Sequence, residues 1–120
     1  MAWETGESMS DINQMYNTAE KLKDDGKLDD AIAKLKELLE MDSGHVLSHL
    51  ALAVLYGRVG QHELAVEHGK KACELDPNDP FNFTAMSVTF QRAWQGTQKQ
   101  EYIQLAEDAM ARAQTLQGHG

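Results

Sequence analysis

Apolar residues recur at the spacing of an α-helix along most of this 120-residue chain. This spacing predicts six helices, at about residues 11–25, 28–41, 45–59, 62–75, 80–95 and 97–117. The chain has only 9 glycines and 2 prolines, too few for a fold of short strands and tight turns. Because the connections are short, we expect consecutive helices to lie antiparallel. The clearest apolar stripe, in the second helix, consists of Leu28, Ala31, Ile32, Leu35, Leu38 and Leu39.

Polar residues and glycines mark the expected helix ends. Asp11 with Gln14, and Thr97 with Gln100, have the spacing of an N-terminal capping box. The fifth helix is expected to begin at the Asp79-Pro80 pair, which suits an N-cap and a first helical residue. The expected helix stops are Gly26, Gly60 and Gly96.

The helices repeat in pairs. A 34-residue unit beginning at Val46 has apolar and small residues on two helices, a turn between them and a proline at its end: Leu52, Ala53, Tyr56, Gly60, Ala65, Ala72 and Pro77. Shifting back by 34 residues gives Ala19, Leu22, Gly26, Ala31 and Leu38. A fixed period of this length is typical of a solenoid, in which each repeat buries its apolar face against a neighbour.

The third unit is longer than the others. It supplies Phe83, Met86, Ser87 and Phe90, and then Ala106, Met110 and Ala113. Ala31 and Ala65 are 34 residues apart, whereas Ala65 and Ala106 are 41 apart, so the unit has seven extra residues. The spacing of the turn glycines, Gly60 and Gly96, assigns two of the extra residues to the end of the fifth helix. The other five are assigned to residues 98–102. We expect an ordered ledge where Trp94 and Tyr102 pack together; the alternative is a loose loop over residues 95–101.

These residues resemble the tetratricopeptide repeat (TPR), a 34-residue pair of antiparallel helices. The resemblance implies an all-α fold, a right-handed α–α superhelix of three antiparallel helix pairs without a clear C-terminal capping helix. The expected repeats are at about residues 12–45, 46–79 and 80–116, in a single domain over residues 11–117. Residues 1–10 read as a flexible tail in which Trp3 is the one aromatic.

The resemblance also implies a concave groove lined by the first helix of each repeat. Its middle is apolar, and a contiguous apolar patch usually marks an interaction site. The groove residues expected to bind a partner are Tyr16, Glu20, Leu47, Leu50, Val54, Arg58, Phe81, Thr84, Val88 and Arg92. One subclass of the family grips acidic tails of heat-shock chaperones with Lys, Asn and Arg. At those positions this chain has Tyr16, Glu20, Ala51, Phe81 and Ala85, so we expect that it lacks this clamp. We expect its groove to bind an apolar peptide or helix instead.

Charge and cysteine content narrow the classes of partner. The formal net charge is −8, and the N-terminal half is the more acidic, which argues against nucleic acid or an anionic membrane as partner. The negative charge also keeps the protein soluble, and that role alone is enough to explain the charge. Cys73 is the single cysteine, and neither a signal peptide nor a run of 18 apolar residues is present, so a cytoplasmic location is expected.

Candidate chemistry is sparse. His45 and His49 are spaced to face one metal ion on a helix, but no adjacent third ligand is evident. We therefore expect no catalytic residues, no metal and no cofactor. Gly69 interrupts the fourth helix where the family has an aromatic residue. We expect it to make room for a bulky neighbour, with Phe83, Phe90 and Trp94 as candidates; a notch for a ligand is the alternative.

The sequence thus favours a non-catalytic protein–protein interaction module, an adaptor or scaffold whose groove binds an apolar or helical segment. The alternative is a self-assembling structural protein. In that case the uncapped C-terminal helix or the groove pairs with another copy, because the sixth helix has apolar residues on more than one side.

Overall fold

The computed structural model describes residues 9–118, and the side chains of residues 11–118. Within this range the chain forms six α-helices: α1 (Met9–Asp24), α2 (Leu28–Met41), α3 (Val46–Arg58), α4 (His62–Leu75), α5 (Pro80–Thr97) and α6 (Glu101–Gly118). The all-α prediction is confirmed, and the predicted bounds of α2 and α4 are those observed. Helix α1 begins at Met9, two residues before the predicted start; the rest of the predicted tail, with Trp3, lies outside the described residues.

Each helix packs against the next one along the chain, and α3 also packs against α5. The result is an elongated body of 50 × 34 × 20 Å in which α1, α3 and α5 form one layer and α2, α4 and α6 the other. No helix within residues 9–118 is both long enough and apolar enough to cross a bilayer.

Two apolar clusters hold the layers together. The first joins the first and second helix pairs around Leu35, Leu52 and Tyr56, and the second joins α4, α5 and α6 around Phe90 and Tyr102. Alanines are prominent among the fully buried residues between the helices: Ala31, Ala65, Ala72, Ala93 and Ala113 are at most 1% exposed. A small side chain at a crossing lets the larger residues of neighbouring turns interdigitate, which gives dense packing.

The predicted glycine stops are correct in the first two repeats. Gly26 and Gly60 have φ angles of 81° and 83°, in the left-handed region that glycine adopts without steric cost. The Asp79 N-cap is also confirmed, because its Oδ1 accepts a hydrogen bond from the Phe81 N–H at 2.9 Å. The capping box at Asp11 is wrong, since Asp11 lies inside the first turn of α1.

The predicted helix end at Gly96 is wrong. Helix α5 continues through Gly96 to Thr97, and Gln98 caps it. Gln98 is a non-glycine residue with a φ of 60°, and its N–H donates to the Trp94 carbonyl. Gly96 has a packing role instead, because a Cβ there would overlap the His62 imidazole at the start of α4. Thr97 does not cap α6: its hydroxyl donates to the Ala93 carbonyl at 2.7 Å.

The seven extra residues are ordered, as predicted, but they are distributed differently. Helix α5 has 18 residues and α3 has 13, so five of the extra residues lengthen α5. The other two precede Ala106 at the start of α6, and the connection of residues 98–100 is as short as that of residues 59–61. Tyr102 is buried and its ring stacks on Phe90 with centroids 6.0 Å apart, while Trp94 packs against the same cluster. The loose-loop alternative is therefore wrong.

Candidate functional site

The layer formed by α1, α3 and α5 has a groove composed of two adjoining hollows. The α1–α3 hollow encloses about 210 Å³ and the α3–α5 hollow about 280 Å³. Both are bordered by Leu50 and Val54 of α3 and by Phe81 and Ala85 of α5, so together they form one continuous surface. We call this surface the inner groove.

The structure brings together nine of the ten predicted groove residues. Tyr16, Glu20 and Leu47 line the α1–α3 hollow, and Thr84, Val88 and Arg92 line the α3–α5 hollow, with Leu50, Val54 and Phe81 shared by both. Arg58 lines neither hollow; it is exposed at the last residue of α3. Seven further residues line the hollows and are not among these ten: Lys23, Ala51, Ala53, Gly69, Ala85, Met86 and Thr89.

Large apolar side chains of the inner groove face water. Phe81 is 62% exposed, Leu47 51% and Val88 41%, whereas Leu50 between them is buried. Single exposed apolar residues are ordinary on protein surfaces, but a contiguous set within a concave surface is typical of an interaction site. The burial of Leu50 shows that the centre of the groove is also part of the protein's own core.

Gly69 lies at the floor of the α3–α5 hollow, and its predicted neighbours are wrong. A Cβ at this position would meet Met86 Cγ at 3.7 Å, Thr89 Cγ2 at 3.9 Å and Ala53 Cβ at 4.0 Å. These are ordinary contact distances, so no bulky side chain requires a glycine here. Phe90 and Trp94 pack instead toward α6. The absent side chain leaves the α4 backbone as part of the lining of the hollow, and the alternative of a notch for a ligand stays a prediction.

Charged groups border both hollows. In the α1–α3 hollow, Lys23 Nζ pairs with Glu20 Oε2 at 3.3 Å. Burial and the nearby Glu20 carboxylate raise the pKa of Tyr16, so its phenol stays protonated at neutral pH. In the α3–α5 hollow, the Cδ of Arg92 lies 3.8 Å from where a Cβ on Gly57 would be.

His45 and His49 do not converge on a common point. His45 Nδ1 lies 2.7 Å from Ser48 Oγ, and its ring contacts Tyr16. His49 Nε2 donates to the Ser43 carbonyl at 2.9 Å, so its Nδ1 accepts a hydrogen bond from His68 Nδ1 at 3.0 Å. No group of three or more His, Cys, Asp or Glu side chains suited to a metal ion is found among the described residues.

A further hollow of about 420 Å³ lies between α5 and α6, lined by Ser87, Gln91, Trp94, Ile103, Ala106, Glu107 and Met110. We call it the terminal hollow. In the third repeat, Ser87 and Met110 occupy the positions that Ala53 and Gly69 occupy in the second repeat. Helix α5 packs over Ala53 and Gly69. Over residues 11–118 no helix occupies the equivalent place on the third repeat. The terminal hollow is thus a helix-packing face without a helix on it.

Comparison with solved structures confirms the tetratricopeptide-repeat fold. The type III secretion translocator chaperone SycD of Yersinia enterocolitica aligns over 91% of this chain and 76% of its own, with 21% identity and a TM-score of 0.78. A complex of SycD with a peptide of the translocator YopD aligns over 92% of this chain and 95% of that chain, with 18% identity and a TM-score of 0.63. The second TPR of Spaghetti (RPAP3), bound to the HSP90 peptide SRMEEVD, aligns over 88% and 91%, with 17% identity and a TM-score of 0.72.

A comparison with protein-family models gives no match. A search of curated proteins gives none either. The similarity to the solved structures therefore concerns the fold, while the partner of this chain has to be argued from its own surface.

Proposed function

We propose that this protein is a non-catalytic adaptor or scaffold, acting in the cytoplasm, whose inner groove binds an apolar peptide or helix of another protein. The observation that carries the proposal is the continuous pair of hollows with Leu47, Phe81 and Val88 exposed along it. Structures of the same fold that contain a translocator peptide or an HSP90 peptide support a peptide as the class of ligand.

The groove suits a helix or an extended segment that inserts apolar side chains at intervals. Two hollows side by side can each hold one anchor, and anchors that fill pockets supply most of the affinity in such interfaces. Leu50, which borders both hollows, is buried in the core, so the groove is formed before the partner arrives. Pre-formed surfaces lose less conformational entropy on binding.

The test is selection of 12-residue peptides from a displayed random library, followed by affinity measurements on purified variants. Leu47→Glu with Phe81→Glu changes exposed groove residues, so folding is retained, and we expect binding to fall at least tenfold because both charges enter an apolar site. Leu64→Glu with Leu75→Glu is the matched control, since both are exposed leucines outside the groove. Equal loss in both double variants, or no loss in the groove variant, contradicts the proposal.

A second function, self-assembly, is favoured by one observation, the uncovered terminal hollow. A second copy packing there would extend the helix layers beyond α6. We expect sedimentation to show an average mass that rises with protein concentration. Met110→Lys should keep the protein monomeric because it places a charge in the hollow, whereas Leu75→Lys should not. A wild-type protein that stays monomeric up to millimolar concentration would contradict self-assembly as a function.

A further inference from the structure

Apolar residues at helical spacing line the terminal hollow on the outer side of the third repeat. On α6 these are Ile103, Ala106 and Met110, at intervals of three and four residues, and on α5 Trp94 lines the same hollow. Ile103, Met110 and Trp94 are partly exposed, so a helix packed over them would remove apolar surface from water. Intervals of three and four are those at which one helix packs against another. We call the side of α5 and α6 around this hollow the terminal face.

The extra length of the third repeat enlarges the terminal face. Helices α5 and α6 have 18 residues each, whereas α3 has 13 and α4 has 14. A helix of this length extends over about 27 Å, and neighbouring helices lie about 8–10 Å apart, so the terminal face has an area of about 500 Å². Two such faces together bury about 1,000 Å², which is the lower end of the range for a specific interface. The terminal face is therefore large enough for a weak pair.

A helix that packs on the preceding repeat does so through two positions. In α5 these are Met86 and Thr89, whose carbon atoms lie against Gly69 of α4. In α3 the same positions, 34 residues earlier, are Leu52 and Leu55, which are at most 1% exposed. A helix that covers the terminal face in the same way therefore needs apolar groups at both positions.

Helix α1 is polar at these two positions. They are occupied by Thr18 and Lys21, which are both exposed, and the Thr18 hydroxyl donates to the Gln14 carbonyl of the same helix. Placing α1 of a second copy on the terminal face would bring the Lys21 ammonium against apolar surface, which is unfavourable. Of the two ends of the array that the structure describes, the terminal face is thus the apolar one, and head-to-tail stacking of copies is disfavoured.

The charge of the chain is distributed so that two copies can meet at the terminal face. Residues 1–79 carry 16 acidic and 8 basic side chains, whereas residues 80–120 carry three of each. Salt screens charges that are more than about 8 Å apart, so repulsion between two copies depends on the charges close to their contact. Contact through the first repeat would bring acidic surfaces together, and contact through the third repeat would not. A surface without net charge also gives no electrostatic attraction to a strongly charged partner.

We infer that two copies of this protein pair terminal face to terminal face about a two-fold axis, with α5 and α6 of both copies forming a four-helix bundle. The inference rests on the proposed self-assembly and specifies its geometry. A two-fold contact uses the same surface on both copies, so the assembly closes at two and needs no second apolar end. The terminal hollow and the inner groove share no lining residue, so the pair presents two open grooves.

Sedimentation on the full chain gives the size of the assembly. We expect the average mass to rise with concentration and to level off at twice the protomer mass. Met110→Lys should weaken the pairing at least tenfold, because each copy would then place a charge in the contact. Leu75→Lys is the matched control, since Leu75 is exposed outside the terminal hollow, and it should pair like the wild type. Melting curves check that both variants fold.

Crosslinking between introduced cysteines gives the geometry. Glu107→Cys places a thiol on the terminal face and Lys21→Cys places one on α1, and both positions are exposed. With a flexible bismaleimide we expect Glu107→Cys to form crosslinked pairs. We expect Lys21→Cys to form none, alone or mixed with Glu107→Cys. The wild type, whose Cys73 is buried, is the control for the reagent.

Two results would overturn the inference and leave self-assembly intact. One is a mass that rises beyond two copies, with crosslinks between Lys21→Cys and Glu107→Cys. The other is a mass that doubles while Glu107→Cys forms no crosslinked pairs, because the contact then lies on another surface. A wild-type protein that stays monomeric up to millimolar concentration would contradict both the inference and self-assembly. Binding of peptides to the inner groove is measured separately and does not depend on any of these outcomes.

Discussion

Two glycines show how one residue type has opposite roles in neighbouring helices. A Cβ at Gly69 in α4 would meet its neighbours at ordinary contact distances of 3.7–4.0 Å, whereas a Cβ at Gly96 in α5 would overlap the His62 ring. Both lie inside helices, where glycine costs about 1 kcal/mol relative to alanine. A substitution to alanine therefore recovers the same helix propensity at both positions, and packing decides the outcome.

We expect Gly69→Ala to raise the free energy of unfolding by about 1 kcal/mol, because the new methyl group finds only ordinary contacts. Gly96→Ala should lower it by about 1–3 kcal/mol, because the methyl group displaces the His62 ring. Urea denaturation at constant pH measures both. Adding His62→Ala should remove most of the loss of stability caused by Gly96→Ala. A Gly96→Ala protein as stable as Gly69→Ala would show that the contact between Gly96 and His62 does not contribute to stability.

Burial of His68 at the contact between α3 and α4 disfavours the charged form of its imidazole. His68 stacks on Tyr56 and donates to His49, and burial, followed by the nearby His49, lowers the pKa of His68. Glu67 opposes this shift and Lys36 of α2 adds to it. In the unfolded chain the imidazole regains its ordinary pKa of about 6.5 and binds a proton more readily.

The stabilising contribution of neutral His68 is therefore complete above about pH 6.5 and decreases as the pH falls below that value. We expect the urea midpoint of the wild type to decrease between pH 7.5 and 5.5. The urea midpoint of His68→Gln should decrease less over the same range. If His68→Gln retains the full pH dependence, the source lies in other groups.

At the scale of helices, the sequence predicted what local chemistry determines and missed what distant residues determine. The bounds of α2 and α4 follow from glycines, a proline and apolar spacing near the helices themselves. The end of α5 was misplaced because Thr97 and Gln100 resemble a capping box, while the need for a glycine at position 96 comes from His62 on another helix. The His49–His68 contact joins residues 19 positions apart and has no sequence pattern of its own.

The groove was predictable to a similar extent. Nine of the ten expected residues line it, because the repeat period assigns them to one side of the inner helices. Its depth was not predictable, since it depends on Ala53, Gly69 and Ala85 meeting from three helices. The extra length of the third repeat was counted correctly and divided incorrectly, because spacing between alanines does not say which helix receives the residues.

The whole molecule owes its elongated shape to the packing of each helix on its neighbour in sequence. Such contacts close only short loops, so little chain entropy is lost before they form, and folding is fast for this architecture. Folding can start in any helix pair and spread to the next, as in a one-dimensional array. A force applied to the two ends would accordingly open the protein one helix pair at a time, rather than in a single all-or-none event.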